Sequence, residues 1–149
     1  MRTTWESLLN TQTNIVADGG MGTMLQAHGL KRGGPSEIWN VERPEVVDAI
    51  HSAYISAGAQ IILTNSFGGT RVRLGAHGLA GRTAELNRAA ARLARTAADR
   101  ADHPVLVAGS MGPTGMLLAP LGDLEFDDAV EAFREQAAAL VEGGVDLLW

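Results

Sequence analysis

The first candidate for chemistry is an aspartate followed by nearly bare backbone, in the stretch VADGGMGTML at residues 16–25. Asp18 ends an apolar run, and two glycines follow it directly. A carboxylate in this position can bind a cationic amine, and glycine N–H groups can approach a carboxylate ligand closely. The same residues could instead form a tight turn in which Asp18 accepts local N–H groups. The stretch matches neither the dinucleotide-binding G-x-G-x-x-G pattern nor a P-loop, which needs G-K-[ST].

Two further polar or glycine-rich stretches follow apolar runs in the same way. TNSF at 64–67 follows one run, and GSMGPTG at 109–115 follows another. Each stretch by itself is also typical of an ordinary turn. Three such stretches after three predicted strands favour one shared pocket over three unrelated turns.

No residue pattern indicates a metal site. The chain contains no cysteine, and its four histidines lack a ligand spacing such as H-x-x-x-H. The acidic residues at 125–131 are typical of the first turns of a helix, where N–H groups favour negative charge. We therefore assign no catalytic residue and no metal ligand, and we expect His51 to pack beside an apolar helix stripe or to lie at the surface.

Four predicted strands and three predicted helices position these stretches. Continuous apolar runs, typical of parallel strands covered on both faces, lie at 14–18, 60–64, 104–108 and 145–149. Apolar residues at helical spacing predict helices over 44–57, 83–100 and 125–142. Because the strands and helices alternate, we expect a parallel sheet with right-handed crossovers.

The connections between these elements are unequal in length. Turns from helix to strand are short, whereas the strand-to-helix segments at 19–43, 65–82 and 109–124 are long. In a parallel α/β fold all strand-to-helix segments lie at the carboxyl edge of the sheet, where ligands bind. The three candidate stretches are therefore predicted to meet at that edge.

Composition and charge limit the class of function. Of 149 residues, 46% are hydrophobic and 19% are charged, which fits one globular domain with a core. The net charge of −5 and the absence of a basic cluster argue against a nucleic-acid or anionic-membrane surface. The apolar runs are too short to span a membrane, and the first residues, MRTTWESLLN, show no signal peptide, so a cytoplasmic location is expected.

Five stretches, in chain order, resemble one known family. They are VADGGMGTML, NVERPEVVDAIHSAYISAGAQIILTNSFGGT, ELNRAAARLAR, VAGSMGPTG and EAFREQAAALVEGGVDLL. Together they resemble the homocysteine-binding, zinc-dependent S-methyltransferase domain. That domain occurs in cobalamin-dependent methionine synthase, in betaine–homocysteine methyltransferase and in stand-alone homocysteine methyltransferases. The resemblance covers nearly the whole chain.

The resemblance implies a fold of the α/β class, a (β/α)₈ TIM barrel. This chain would carry about the first four strands and three helices of that barrel. Residues 1–149 would then be the N-terminal part of one homocysteine-binding domain, ending at the fourth strand.

The resemblance also implies the reaction and the substrate site. A methyl group would pass to the zinc-bound thiolate of homocysteine, giving methionine. Asp18 would hold the amino group of homocysteine, and the backbone after it would shape the pocket and help to receive the carboxylate. The substrate-binding residues implied in this way are Asp18, Gly19, Gly20, Thr23, Thr64 and Asn65.

The chain departs from the family in two respects. It lacks the three cysteines on later strands that bind zinc, and it lacks a glutamate of the fourth strand that also binds the amino group. Zinc is therefore expected in the full-length protein, and the fragment itself is expected to be inactive. The methyl donor stays open among methylcobalamin, methyltetrahydrofolate, betaine and S-methylmethionine types, and a corrinoid or other methyl-donor domain is the implied partner.

Two alternatives also stay open. One is a related corrinoid-linked barrel that methylates a different thiol, and the other is a non-catalytic half-barrel that serves as a binding or assembly module. Four strands cannot close a barrel, so the isolated fragment is expected to form homo-oligomers or to aggregate through its uncovered edges.

Overall fold

The computed structural model of the chain describes residues 3–149. Its sheet consists of three parallel strands in the spatial order β1 (Ile61–Leu63), β2 (Leu106–Gly109) and β3 (Leu147–Leu148). Ile61 pairs with Leu106 and Ala108 pairs with Leu147. Neighbours in the sheet are therefore also successive along the chain, as the alternation of strands and helices predicts.

The predicted first strand at 14–18 is wrong as a full strand, because it is reduced to one parallel bridge between Ala17 and Ile61. The Asp18 N–H still donates to the Ile61 carbonyl at 2.9 Å. The Asp18 carboxylate, however, accepts the N–H of Leu63 at 2.9 Å. This side chain takes the place that the next backbone carbonyl of a continuing strand would occupy, so the ladder stops there.

The helices are more numerous than the three that the sequence predicts. In chain order they are α1 (Trp5–Thr11), α2 (Met21–Ala27), α3 (Trp39–Glu42), α4 (Pro44–Ser56), α5 (Arg71–Gly75), α6 (Thr83–Asp99) and α7 (Phe126–Gly143), with 3-10 turns at Ser36–Ile38 and Ala80–Arg82. The long helices α4, α6 and α7 are the predicted ones. The short helices escape prediction because they are too brief to show a repeated apolar stripe. No helix within residues 3–149 is long and apolar enough to cross a membrane.

Both faces of the sheet are apolar, as the continuous apolar runs predict. On one face, side chains of α4 and α6 pack against Ile62 and Val107. On the other face, Leu8 of α1 packs with Ile61 and Ala108. The core thus lies on both sides of the strands and leaves their carboxyl edge free for the long segments.

His51 is buried in α4 without a hydrogen-bond partner. It is 0% exposed, and neither ring nitrogen is bonded to a described residue. Burial lowers the pKa of His51 from 6.5 to about 4, and the nearby Asp48 opposes this only in part. Between these two pH values the unfolded chain binds a proton that the folded chain does not. The contribution of neutral His51 to the free energy of unfolding is therefore fully present above pH 6.5 and is lost as the pH falls toward 4.

We expect His51→Leu to remove much of this acid sensitivity. Between pH 6.5 and 4 the free energy of unfolding of the variant should fall by roughly 2–3 kcal/mol less than that of the wild type. Urea unfolding across this pH range measures the difference. The same acid dependence in both proteins would contradict a buried, neutral His51.

Candidate functional site

A cavity of about 400 Å³ opens at the carboxyl edge of the parallel strands. Asp18, which follows the Ala17 bridge, lines it together with Thr64 after β1 and Ser110 after β2. The segment 33–37 forms a further wall. The strand-to-helix segments therefore meet around one space.

Asp18 is anchored at this cavity by backbone groups of β1. Its N–H donates to the Ile61 carbonyl, and its Oδ2 accepts the N–H of Leu63, both at 2.9 Å. Among the described residues no basic side chain forms an ion pair with it. Burial raises the pKa of Asp18 from 3.8 to about 6, although the bond from Leu63 opposes this rise. A bound cation would offset the desolvation of this carboxylate and favour its ionised form.

The glycine stretch after Asp18 leads into α2. A Cβ on Gly19 would come 2.9 Å from the Tyr54 hydroxyl oxygen, and that hydroxyl donates to the Gly20 carbonyl at 3.4 Å. Gly19 lines the cavity, whereas Gly20 and Thr23 do not. The Thr23 hydroxyl instead donates to the Gly20 carbonyl at 3.1 Å. Gly20 and Thr23 therefore shape the start of the helix next to the cavity.

The Thr64 hydroxyl is engaged within the protein. Its Oγ1 accepts the N–H of Ser110 at 2.9 Å and lies 2.6 Å from the Ser66 Oγ. Because the Ser66 hydroxyl donates its one proton to the Ser110 carbonyl at 2.8 Å, Thr64 must donate to Ser66. This network ties the end of β1 to the end of β2 and leaves the Thr64 hydroxyl no proton for a ligand.

Asn65 fixes a wall of the cavity. Its Nδ2 donates to the Ser36 carbonyl at 2.8 Å and to Oδ1 of Asn40 at 3.0 Å. The Asn40 Nδ2 in return donates to the Asn65 carbonyl at 2.8 Å. This reciprocal pair, in which both side chains are buried, holds the segment 36–40 against the end of β1.

Three titratable residues of the cavity were not predicted from the sequence, namely Glu37, Arg73 and His77. Glu37 is 4% exposed, and its Oε1 accepts the N–H of Gly68 at 2.7 Å. None of the three directly follows a predicted strand, so the strand-end pattern does not single them out. Their position in long strand-to-helix segments is the one sequence signal that they carry.

The residues present do not fit a zinc site. Within residues 3–149 no three His, Asp or Glu side chains are grouped as metal ligands, and the whole chain has no cysteine. Two histidines contact backbone carbonyls instead: His28 Nδ1 lies 2.8 Å from the Met24 carbonyl, and His103 Nε2 lies 3.1 Å from the Ala59 carbonyl. We therefore derive no reaction step through zinc.

Sequence and structure comparisons with known proteins point to the same family. A profile of the family described as homocysteine S-methyltransferase matches residues 15–149. The methionine synthases of Mycobacterium tuberculosis and Mycobacterium leprae are each 39% identical to this chain, over 93% and 91% of its length. The crystal structure of the homocysteine methyltransferase MmuM from Escherichia coli, in its metallated form, aligns with a TM-score of 0.77 at 34% identity and covers 95% of this chain. The oxidized form aligns with a TM-score of 0.76, also at 34% identity, and covers 96%.

These relatives are longer than the matched region. The chain spans 12% of the length of the two methionine synthases, and 55% and 54% of the two methyltransferase chains. The similarity therefore covers one part of each relative.

Proposed function

Because this chain belongs to the homocysteine S-methyltransferase family, we propose that it supplies the homocysteine-binding part of an enzyme that methylates homocysteine to methionine. The observation that carries this proposal is the cavity at the strand ends, where the partly buried carboxylate of Asp18 forms no ion pair with any residue of 3–149. Since the chain spans only part of its relatives, the complete activity is proposed for the full-length protein.

In this proposal each residue has a defined role toward homocysteine. Asp18 binds the ammonium group through its carboxylate. The backbone from Gly19 to Thr23 shapes the pocket and helps to receive the carboxylate of the substrate. Thr64 and Asn65 form part of the pocket wall. Their hydrogen bonds to neighbouring segments support this role.

We further propose that residues 1–149 form the N-terminal part of a closed (β/α)₈ barrel. Support comes from the parallel order Ala17, β1, β2, β3, in which every spatial neighbour is also the next strand segment along the chain. Consecutive strands of such a barrel have this arrangement, and their carboxyl edge carries the active site.

Zinc and the methyl donor lie outside the residues that we assign. The metallated form of a relative supports a metal in the family, but its ligands must come from residues beyond this chain. We likewise assign the methyl donor, and the domain that carries it, to the rest of the full-length protein. The reaction is proposed for the cytoplasm, whose reducing conditions keep thiols out of disulfides.

The activity test compares the full-length protein with the isolated 149-residue chain. With homocysteine, the full-length protein is expected to form methionine from methylcobalamin, methyltetrahydrofolate, betaine or S-methylmethionine. The isolated chain is expected to form none from any of them, because it lacks the ligands of the thiol-activating metal. Methionine formed from each donor is measured by chromatography.

Two results would contradict this proposal. Methionine formation by the isolated chain would show that zinc ligands outside it are not needed. Failure of the full-length protein with all four donors would remove the assignment as a homocysteine methyltransferase.

A further inference from the structure

Arg73 brings a positive charge to the cavity that contains Asp18. It belongs to α5, and the start of that helix is capped by Thr70, whose Oγ1 accepts the N–H of Arg73 at 3.2 Å. The position of the Arg73 backbone is therefore set by a contact that does not involve its side chain. A substitution of the side chain leaves that contact in place.

The Arg73 guanidinium forms no ion pair with any described residue. Seven other arginines of residues 3–149 do form ion pairs, and they are Arg43, Arg71, Arg82, Arg88, Arg95, Arg100 and Arg134. Even Arg71, two residues away, pairs with Glu135 at 2.6 Å. The cavity residue Glu37 is bonded to the Gly68 N–H and does not pair with Arg73. Arg73 is thus an arginine at the cavity whose charge no residue within 3–149 neutralises through an ion pair.

Two glycines leave space for the Arg73 side chain. A Cβ on Gly115 would come 2.7 Å from Arg73 Nη1, and a Cβ on Gly68 would come 3.4 Å from Arg73 Cγ. Gly115 has a φ of 81°, which favours glycine for its backbone as well. The Arg73 side chain therefore passes Gly68 with its aliphatic part and reaches Gly115, in the segment after β2, with its guanidinium.

The charges around the cavity match an amino acid. Asp18 and Arg73 line the same cavity, and its volume of about 400 Å³ is enough for a ligand as small as homocysteine. Homocysteine carries an ammonium and a carboxylate at neutral pH. Asp18 and Glu37 offer negative charge only, and backbone N–H groups carry no net charge. Arg73 and His77 are the basic side chains that line the cavity, and only Arg73 carries a planar guanidinium suited to bind a carboxylate through two hydrogen bonds.

We propose that Arg73 binds the carboxylate of the amino-acid substrate and is a specificity-determining residue of this cavity. The inference rests on the proposed function, since it takes homocysteine as the ligand. Arg73 then selects thiols that carry an α-carboxylate over simple aminothiols.

The test is a calorimetric titration of the full-length protein with two ligands. One is homocysteine, and the other is 3-aminopropane-1-thiol, which is homocysteine without its carboxylate. Arg73→Gln should weaken homocysteine binding roughly ten- to hundredfold and leave the binding of the aminothiol within about twofold of the wild type. Arg73→Lys should retain part of the homocysteine affinity, because it keeps the charge but not the planar group.

Arg92→Gln is the matched control. Arg92 also forms no ion pair with a described residue, but it lies on α6 outside the cavity, so this change should leave both affinities unaltered. If Arg73→Gln keeps full homocysteine affinity, or weakens both ligands equally, the assignment of Arg73 is overturned. A wild-type protein that does not bind homocysteine would overturn the proposed function itself, and the two failures are therefore distinguishable.

Discussion

Replacing Gly69 with alanine is expected to destabilise the protein by about 3 kcal/mol, through overpacking and lost buried hydrogen bonds. A Cβ at this position would come 2.3 Å from the Asn87 Oδ1, 2.7 Å from the Gln136 Nε2 and 2.8 Å from the Ser66 carbonyl oxygen. Gly69 is not among the glycines with positive φ, so the expected cost is steric rather than conformational.

The groups around Gly69 cannot move aside without losing hydrogen bonds. Asn87 donates to the Gly69 carbonyl at 2.7 Å, and Gln136 donates to the Ser66 carbonyl at 2.7 Å and to Asn87 Oδ1 at 3.1 Å. Both side chains are almost fully buried, so water cannot replace a lost partner. This network holds the segment after β1 against α6 and α7.

Urea unfolding of the Gly69→Ala protein measures the effect. Gly81→Ala is the control, because a Cβ there meets no atom within 4 Å and the backbone φ is not positive. The control should stay within about 0.5 kcal/mol of the wild type. Equal stability of the two variants would show that the close packing around Gly69 is absent in solution.

Replacing Asp18 with asparagine is expected to weaken homocysteine binding without lowering the stability of the protein. The affinity for homocysteine should fall about ten- to hundredfold, because a charge-assisted hydrogen bond contributes about 1.5–3 kcal/mol. Asparagine keeps the shape and can still accept the Leu63 N–H through its Oδ1. The melting temperature at pH 7 should therefore not fall.

The raised pKa of Asp18 gives this expectation a pH dependence. Protonated Asp18 favours the folded state, and this contribution to the free energy of unfolding is fully present below pH 3.8 and is lost as the pH rises through about 6. At pH 7 the wild type carries the cost of a buried charge that the asparagine variant lacks, so the variant should be at least as stable. Homocysteine affinity of the wild type should also fall as the pH drops through about 6, whereas that of the variant should not.

Calorimetric titrations and thermal unfolding at matched pH test both statements. Comparing the two proteins at each pH cancels the contribution of His51, which titrates in an overlapping range. Unchanged affinity together with a lower melting temperature would make Asp18 a structural turn residue.

Parts of the fold that depend on repeated apolar spacing could be predicted from the sequence. The helices α4, α6 and α7 each carry an apolar stripe over 13 or more residues, and β1 and β2 lie in continuous buried apolar runs. The run at 145–149 is expected to be covered in the same way, but Leu148 and Trp149 are exposed. The early end of the first strand segment could not be predicted, because it results from one side chain, that of Asp18, accepting the Leu63 N–H. The spacing of apolar residues does not show when a side chain, rather than a backbone carbonyl, accepts a hydrogen bond from the neighbouring strand.

The site was predictable only where its residues directly follow strands. Asp18 and Thr64 could be found in this way, because the carboxyl ends of parallel strands share one edge. Glu37 and Arg73 line the cavity because the long strand-to-helix segments that contain them fold back over the strand ends. Contacts such as Glu37 to Gly68 decide that folding, and they join residues 31 positions apart without a local signal.

The coupling between the Asp18 carboxylate and the amino group of the substrate can be measured directly. The affinities of homocysteine and of 4-mercaptobutyrate, which lacks the amino group, are measured for the full-length wild type and its Asp18→Asn variant. We predict that loss of the amino group weakens binding to the wild type about ten- to hundredfold and weakens binding to the variant by less than about threefold. The same ratio of affinities in both proteins would show that Asp18 is not the group that receives the ammonium.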